Sequence, residues 1–162
     1  MSDSDPNDRA AVVTRLAELN RTFSQVVPHN RALGLEMVKL TDSAARVRLP
    51  WRADLVGNPA TGVLHGGVIT ALMDACCGAA VFMALPRPRP IATLDLRIDY
   101  LMPAAPHEVV LARAECYKVT RNVAFVRGVA YHDDESRLIA SAAGAFMLGT
   151  KRGSRRSEAA GE

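Results

Sequence analysis

Apolar positions along the chain change period several times, and each change marks an element. From Arg9 to Val27 they recur at Val12, Leu16, Leu19, Phe23 and Val26, spaced by three and four, which predicts an amphipathic helix. Pro28 ends that helix, and His29-Asn30-Arg31-Ala32-Leu33-Gly34 reads as a connecting loop. Leu35 to Leu40 and Ala44 to Leu49 read as short strands joined by a turn at Thr41-Asp42-Ser43. In the second, Ala45, Val47 and Leu49 alternate with Arg46 and Arg48, the period of a half-buried strand. Trp51 to Gly62 is rich in Gly, Pro, Asn and Thr and reads as a loop.

A different pattern begins at His65. Between Asp54 and Arg87 the only formal charge is Asp74. The segment from His65 to Ala84 is apolar on nearly every face, so it predicts a helix wrapped by other elements rather than laid on a surface. At ~1.5 Å per residue it is ~30 Å long. Pro86-Arg87-Pro88-Arg89-Pro90 breaks the chain. Thr93 to Tyr100 then alternates without interruption, which predicts a strand. Val109 to Val119, Val123 to Tyr131 and Leu138 to Leu148 come next as strands, with a charged turn at Asp133-Asp134-Glu135-Ser136. The sum is an α+β domain, an antiparallel sheet with a helix on one face. A single apolar helix is best buried if the sheet curls round it.

The 162 residues, 49% hydrophobic, fit one domain over residues 9–149, with residues 1–8 and the polar basic tail 150–162 disordered. Net charge is +3, but Lys151, Arg152, Arg155 and Arg156 supply +4 and Glu158 and Glu162 remove two, leaving +1 elsewhere. With aromatics at 5%, a nucleic-acid stacking surface is not expected. The acidic start Met1-Ser2-Asp3-Ser4-Asp5 lacks the character of a signal peptide, and Asp74 with its neighbouring glycines argues against a membrane span. Three cysteines form no disulfide framework, and Cys76-Cys77 lacks a second pair for zinc. A cytoplasmic protein with reduced thiols, no metal and no nucleic-acid or membrane partner is the expectation. His29, His107 and His132 have no ligand-spaced partners.

Asp74 is then the residue that needs a reason. An ionised carboxylate in apolar surroundings requires hydrogen-bond donors or a task. It lies nine positions after His65-Gly66-Gly67, at the end of Ala71-Leu72-Met73-Asp74. Upstream stands Gly57-Asn58-Pro59. Downstream stands Thr93-Leu94-Asp95-Leu96-Arg97-Ile98-Asp99-Tyr100-Leu101-Met102-Pro103. In order and spacing over about residues 30–148, these motifs resemble the hotdog-fold acyl-CoA thioesterases of the PaaI-like, phenylacetate-degradation type. The resemblance implies a curved antiparallel sheet around one central helix. Asn58 and His65 lie seven positions apart, one more than in many relatives, so the intervening loop is expected to bulge.

Within that resemblance the residues take roles. The first N–H groups of a helix lack intrahelical partners and sit at its positive end, and glycines let a substrate approach the backbone. The Gly66 N–H polarises the thioester carbonyl, Asn58 is a second donor, and Gly67 in the same turn is a candidate for binding substrate or CoA. Asp74 is the base or the nucleophile; activation of water, held by Thr93, is the expected route. His65 orients the thioester or the Asn58 loop. Nine residues are 2.5 turns, so His65 and Asp74 point to opposite sides of the helix, ~13 Å apart along it. A site using both is natural if two chains pair and each contributes one end, which implies a homodimer, or a dimer of dimers, with composite sites. For the phosphates of CoA, which is part of the substrate and not a cofactor, Arg97 and the run Arg121-Asn122-Val123 are candidates. His29, Asn30 and Arg31 are candidates for the edge of the acyl pocket. Small residues near the acid (Ala71, Cys77, Gly78) leave room for an aryl or medium-length acyl group. Two other readings stay open: a non-catalytic acyl-CoA-binding module, and a hotdog hydratase or dehydratase.

Overall fold

The computed structural model describes residues 20–149. The expected tails and most of the helix expected from Arg9 lie outside them. The described end of that helix is helical at Asn20 and Arg21 and widens over Thr22–Val26, where Val27 N–H reaches back to the Thr22 carbonyl. Pro28 follows the end of this helix, as expected, with Val27 extended. It opens a second short helix, α1 (Pro28–Leu33), in the stretch expected to be a loop. Proline suits a first helical turn because the N–H it lacks has no partner there. Gly34, at φ 71°, closes α1 in the left-handed conformation that glycine adopts freely.

Six strands form one antiparallel sheet: β1 (Glu36–Leu40), β2 (Ala44–Leu49), β5 (Ile91–Tyr100), β6 (Val110–Val119), β7 (Val123–Tyr131) and β8 (Ala140–Leu148). Their spatial order is β1-β2-β6-β7-β8-β5, so β1 and β5 are the two edges. The expected loop at Trp51–Gly62 contains a short 3-10 turn (Ala53–Leu55) and a strand, β3 (Val56–Asn58), which pairs with β4 (Val63–Leu64). The β3–β4 register slips between Val56 and Asn58, ahead of the Asn58–His65 interval in which a bulge is expected. The long helix, α2, spans Gly66–Ala84 with His65 as its N-cap.

The sheet curls round α2 and packs against it chiefly through β2, β6 and β7. Ile69, Leu72, Met73, Cys76, Cys77, Ala80 and Val81 form the buried face of the helix. They meet Val47 and Leu49 of β2, Val110, Ala112 and Ala114 of β6, and Ala124 and Val126 of β7 in one continuous core. Alanine and glycine on the sheet allow a close approach: a Cβ on Gly128 would stand 3.0 Å from the Arg113 carbonyl oxygen and 3.2 Å from the Met73 methyl. The wrap is incomplete, however. Gly66, Gly67 and Thr70 are exposed, and Ala71, Asp74, Ala75, Gly78, Ala79, Phe82 and Met83 are half-buried. This stripe faces the gap between the two sheet edges, so the expectation of a helix covered on all sides is met on one side only.

Strand β5 departs from its sequence pattern. The alternation from Thr93 to Tyr100 places Leu94 on one face with Leu96 and Ile98. Instead the β5–β8 register shifts between Thr93 and Asp95, a bulge at Leu94. Thr93 stands opposite the buried Phe146, while Leu96 and Ile98 pack on the core and Leu94 is left 51% exposed. A bulge inserts one residue without a partner and reverses the facing of the residues beyond it.

Leu72 has no solvent exposure and belongs to the continuous apolar core. Leu72→Ala is expected to cost about 2–5 kcal/mol of stability through lost burial and the cavity it leaves, seen as a lower midpoint in urea unfolding.

Candidate active site

The open stripe of α2 floors a cleft of about 710 Å³. Gly67, Thr70, Ala71, Asp74, Ala75, Gly78, Ala79, Phe82 and Met83 line it from the helix, at the three- and four-residue spacing of a single face. One wall is the edge of the sheet at Ile91, Ala92, Thr93 and Phe146. The other is Met37 and Leu40 of β1 with Phe23, Val27, His29 and Asn30. Asp74 carries the cleft's only formally charged side chain among these residues.

Thr93 Oγ donates a hydrogen bond of 2.7 Å to Asp74 Oδ1. The sequence reading brings the same two residues together, with a difference in role: the hydroxyl holds the carboxylate itself, and its lone pairs remain to accept from water. Asp74 Oδ2 makes no hydrogen bond to any described residue, so one carboxylate oxygen is fixed and the other is free toward the cleft. The bulge at Leu94 is what turns Thr93 inward at this level of the sheet.

The start of α2 is organised around His65. Its Nδ1 accepts the Gly67 N–H at 2.9 Å, which requires Nδ1 to be unprotonated and leaves Nε2 as the donor. A Cβ on Gly67 would stand 3.0 Å from that nitrogen, so only glycine lets the ring fold over the helix end at this distance without a shift. The Val68 N–H is used by the His65 carbonyl. The Gly66 N–H bonds no described residue and is exposed, so it is the donor left at the positive end of the helix.

His65 does not line the cleft that holds Asp74. It borders a smaller one of about 410 Å³ with Asp54, Leu55 and Val56, which shares His29, Gly67 and Ala71 with the first. No hydrogen bond joins His65 to Asp74, in keeping with the helical arithmetic. Asn58 lies farther out. Its Oδ1 accepts the Ala60 N–H at 3.0 Å and its carbonyl accepts from Thr61 and Gly62, which closes a tight turn; its side chain lines neither cleft. Trp51 pins this turn, its indole N–H donating to the Gly62 carbonyl at 2.9 Å while its ring lies 4.1 Å from that of His107.

The residues expected to meet CoA are not gathered in one chain. Arg97 is on the outer face of the sheet, paired with Asp99 at 3.0 Å, and points away from α2. Arg121 and Asn122 form the exposed β6–β7 turn, and Val123 starts β7 opposite Met147, the partner of Ala92. That turn is at the same end of the sheet as Thr93 but lines neither cleft. Of the suggested pocket-edge residues, His29 and Asn30 line the cleft and Arg31 does not. Ala71 and Gly78 open onto it; Cys77 is on the buried face and contributes no room.

Sequence reasoning assigns no role to Tyr100. Its hydroxyl donates to the Gly66 carbonyl at 2.9 Å and lies 2.6 Å from Thr70 Oγ, tying the end of β5 to the start of α2. A single aromatic in an alternating strand gives no signal of such a long-range contact. Gly57 is equally silent in the sequence: a Cβ there would stand 2.8 Å from the His65 Cα, so the glycine permits β3 to cross the helix start. The cysteines are not candidates for the nucleophile. Burial, and then the nearby Asp74 charge, push the Cys77 thiol up to about 12, and burial raises Cys76 further. Among the described residues no group of His, Cys, Asp or Glu side chains is arranged to hold a metal.

Comparison with known proteins places this geometry in a family. The sequence profile described as "Thioesterase superfamily" matches residues 61–139, which include His65, Gly66, Asp74 and Thr93. The medium/long-chain acyl-CoA thioesterase YigI of Escherichia coli K12 is 34% identical, over 78% of this chain and 89% of its own. A crystal structure of a Pseudomonas aeruginosa protein superimposes with a TM-score of 0.73 at 47% identity, covering 82% of this chain and 98% of that one. The phenylacetic acid degradation protein PaaI of Thermus thermophilus, solved as a point mutant, gives 0.65 at 30% identity, covering 74% and 97%. An antiparallel sheet curled round one long helix, a helix start bearing a free glycine N–H, and relatives of this similarity together establish that the chain belongs to the thioesterase superfamily and has its hotdog fold.

Proposed function

We propose that the chain hydrolyses acyl-CoA thioesters to the free acid and CoA, with Asp74 as general base. The observation that carries this reading is the Asp74–Thr93 pair, a carboxylate with one oxygen fixed and one free at the floor of an otherwise apolar cleft. In this scheme the free oxygen takes a proton from water. The hydroxide attacks the thioester carbonyl, and the C–S bond breaks as the proton passes to the departing CoA sulfur. The Gly66 N–H stabilises the developing oxyanion. The relative named as a medium/long-chain acyl-CoA thioesterase favours an aliphatic acyl group over an aryl one. Free, buried thiols suit a reducing compartment, in keeping with a cytoplasmic protein.

The working unit in this reading is a homodimer. The outer edge of β5 has no partner among the described residues, is ten residues long, and carries Leu94 and Tyr100, both more than half exposed. A long unpaired edge of this kind invites another strand. Pairing of two β5 edges about a two-fold axis would bring the His65–Gly66 end of one α2 toward the Asp74 cleft of the other, and would let Asn58, Arg97 or the Arg121–Val123 turn reach substrate bound by the partner.

Release of free thiol from a panel of acyl-CoAs tests the activity. Asp74→Ala is expected to lower kcat more than about a hundredfold, the scale of a lost general base, and Thr93→Val to lower it less. Wild-type turnover by Asp74→Ala would sink the assignment of the acid. Iodoacetamide at about pH 8, near a free thiol's own pKa, should leave Cys76 and Cys77 of the folded protein unmodified. Because burial keeps both thiols protonated there, Cys77→Ala should retain turnover. Light scattering should give a mass of at least twice 17.4 kDa. Mixing subunits of inactive His65→Ala with inactive Asp74→Ala should restore activity, because each mixed dimer holds one site with both residues intact; no restoration would refute the composite site.

A further inference from the structure

The lining of the Asp74 cleft is sorted by position. On the Gly67 side of Asp74 it holds Thr70, His29 and Asn30. Beyond Asp74 toward the C-terminus of α2, the helix presents Ala75, Gly78, Ala79, Phe82 and Met83, and the facing strands present Ile91 and Phe146. All of these are apolar. The polar groups besides Asp74 and Thr93 thus lie on one side, with Phe23 and Val27 among them, and a wholly apolar trough runs the other way along α2.

Gly78 stands in the middle of that trough. A Cβ added to it would lie 3.6 Å from Phe146 Cε1 and 3.8 Å from Ile91 Cδ1, ordinary van der Waals contact across to the sheet. A methyl group there already touches the sheet, so a longer side chain has to extend into the cleft alongside. Glycine inside a helix is unfavourable relative to alanine, so its presence on this open face calls for a gain that offsets it. Room for a chain is such a gain.

We propose that Gly78 sets the acyl-chain length: the chain lies along α2 from Asp74 past Gly78 to Phe82 and Met83. This rests on the thioesterase reading above and adds its substrate class. Asp74 to Phe82 is eight residues, or ~12 Å of helix. An extended chain advances about 1.25 Å per carbon, from bonds of ~1.5 Å at ~111°, so the trough takes about ten carbons. Each methylene buried in it strengthens binding about fourfold, the scale of apolar transfer. Preference rises with length to about decanoyl and then levels, because further carbons pass beyond Met83. Medium-chain acyl-CoAs are the matching substrates, and an aryl group leaves most of the trough empty.

The test compares wild type, Gly78→Ala and Gly78→Leu in two measurements. One is kcat/KM for butyryl-, decanoyl- and dodecanoyl-CoA; the other is calorimetric binding of the unhydrolysable thioethers S-butyl-CoA and S-decyl-CoA. The expected result is a decanoyl preference in wild type that falls at least tenfold, relative to butyryl, in Gly78→Leu. Gly78→Ala, whose methyl makes only ordinary contacts, falls between and guards against a leucine variant that does not fold. An unmoved decanoyl-to-butyryl ratio in both folded variants, or a wild type indifferent to length, overturns the proposal. Length-dependent thioether binding without hydrolysis of any acyl-CoA would leave the trough standing and reject the thioesterase reading; hydrolysis without length dependence would do the reverse.

Discussion

The rest of this fold depends on how one apolar helix is covered. A helix with a single charge between its flanking loops cannot lie against water on all sides, and a twisted sheet of six strands can curl round it without closing. One face of α2 is sealed by β2, β6 and β7 at the density of a core. The opposite face is left between the β1 and β5 edges, where Ala71, Ala75, Gly78 and Ala79 are small enough to leave a cleft. The division between core and site is therefore a division between two faces of the same helix. Leu72, Met73, Cys76 and Cys77 are buried on one, and Ala71, Asp74, Ala75 and Gly78 open on the other.

That arrangement explains how a carboxylate can be tolerated in so apolar a segment. Asp74 lies at the boundary of the seal, where it keeps one hydrogen bond from Thr93 and one free oxygen. The helix start is built in the same way. The His65 ring takes up the Gly67 N–H, the Tyr100 hydroxyl joins Thr70 on the Gly66 carbonyl, and the Gly66 N–H alone remains without a partner among the described residues. Two groups of opposite character, an acceptor midway along the helix and a donor at its end, thus have no partner among the described residues at this face of α2.

Much of this is legible in the residues. Periodicity locates α2 and the six strands of the main sheet to within a residue or two, while β3 and β4 leave no such pattern, and the isolation of Asp74 marks the candidate site. The Thr93 partnership comes from the resemblance, and its geometry from the fold. The misreadings share a physical cause: each depends on a packing contact that a linear pattern does not carry. The stretch after Pro28 reads as a loop because proline stops the helix before it, yet the same residue is suited to begin another. The alternation of Thr93 to Tyr100 reads as one register because a bulge leaves no mark on the apolar pattern when leucine occupies it. Cys77 reads as room because size is visible in a sequence and facing is not. Arg97, a candidate for the CoA phosphates, is turned outward beside Asp99, which keeps it from the cleft of its own chain.

The bulge at Leu94 makes β5 a strand of two parities. Ahead of it the odd-numbered Thr93 faces the helix; behind it the even-numbered Leu96, Ile98 and Tyr100 do. The half that touches Asp74 and the half that closes the core and anchors the helix start are thus in opposite phase, joined by one residue outside both. Ironing the ten residues into a regular strand would change no side chain, yet it would send Thr93 to the far side of the sheet with Asp95 and Arg97. Deleting Leu94 would have the opposite effect, because Thr93 and Leu96 would then stand two apart and share a face with no bulge at all. In β5 the information that places the hydroxyl is carried by a count of residues rather than by the identity of any one of them.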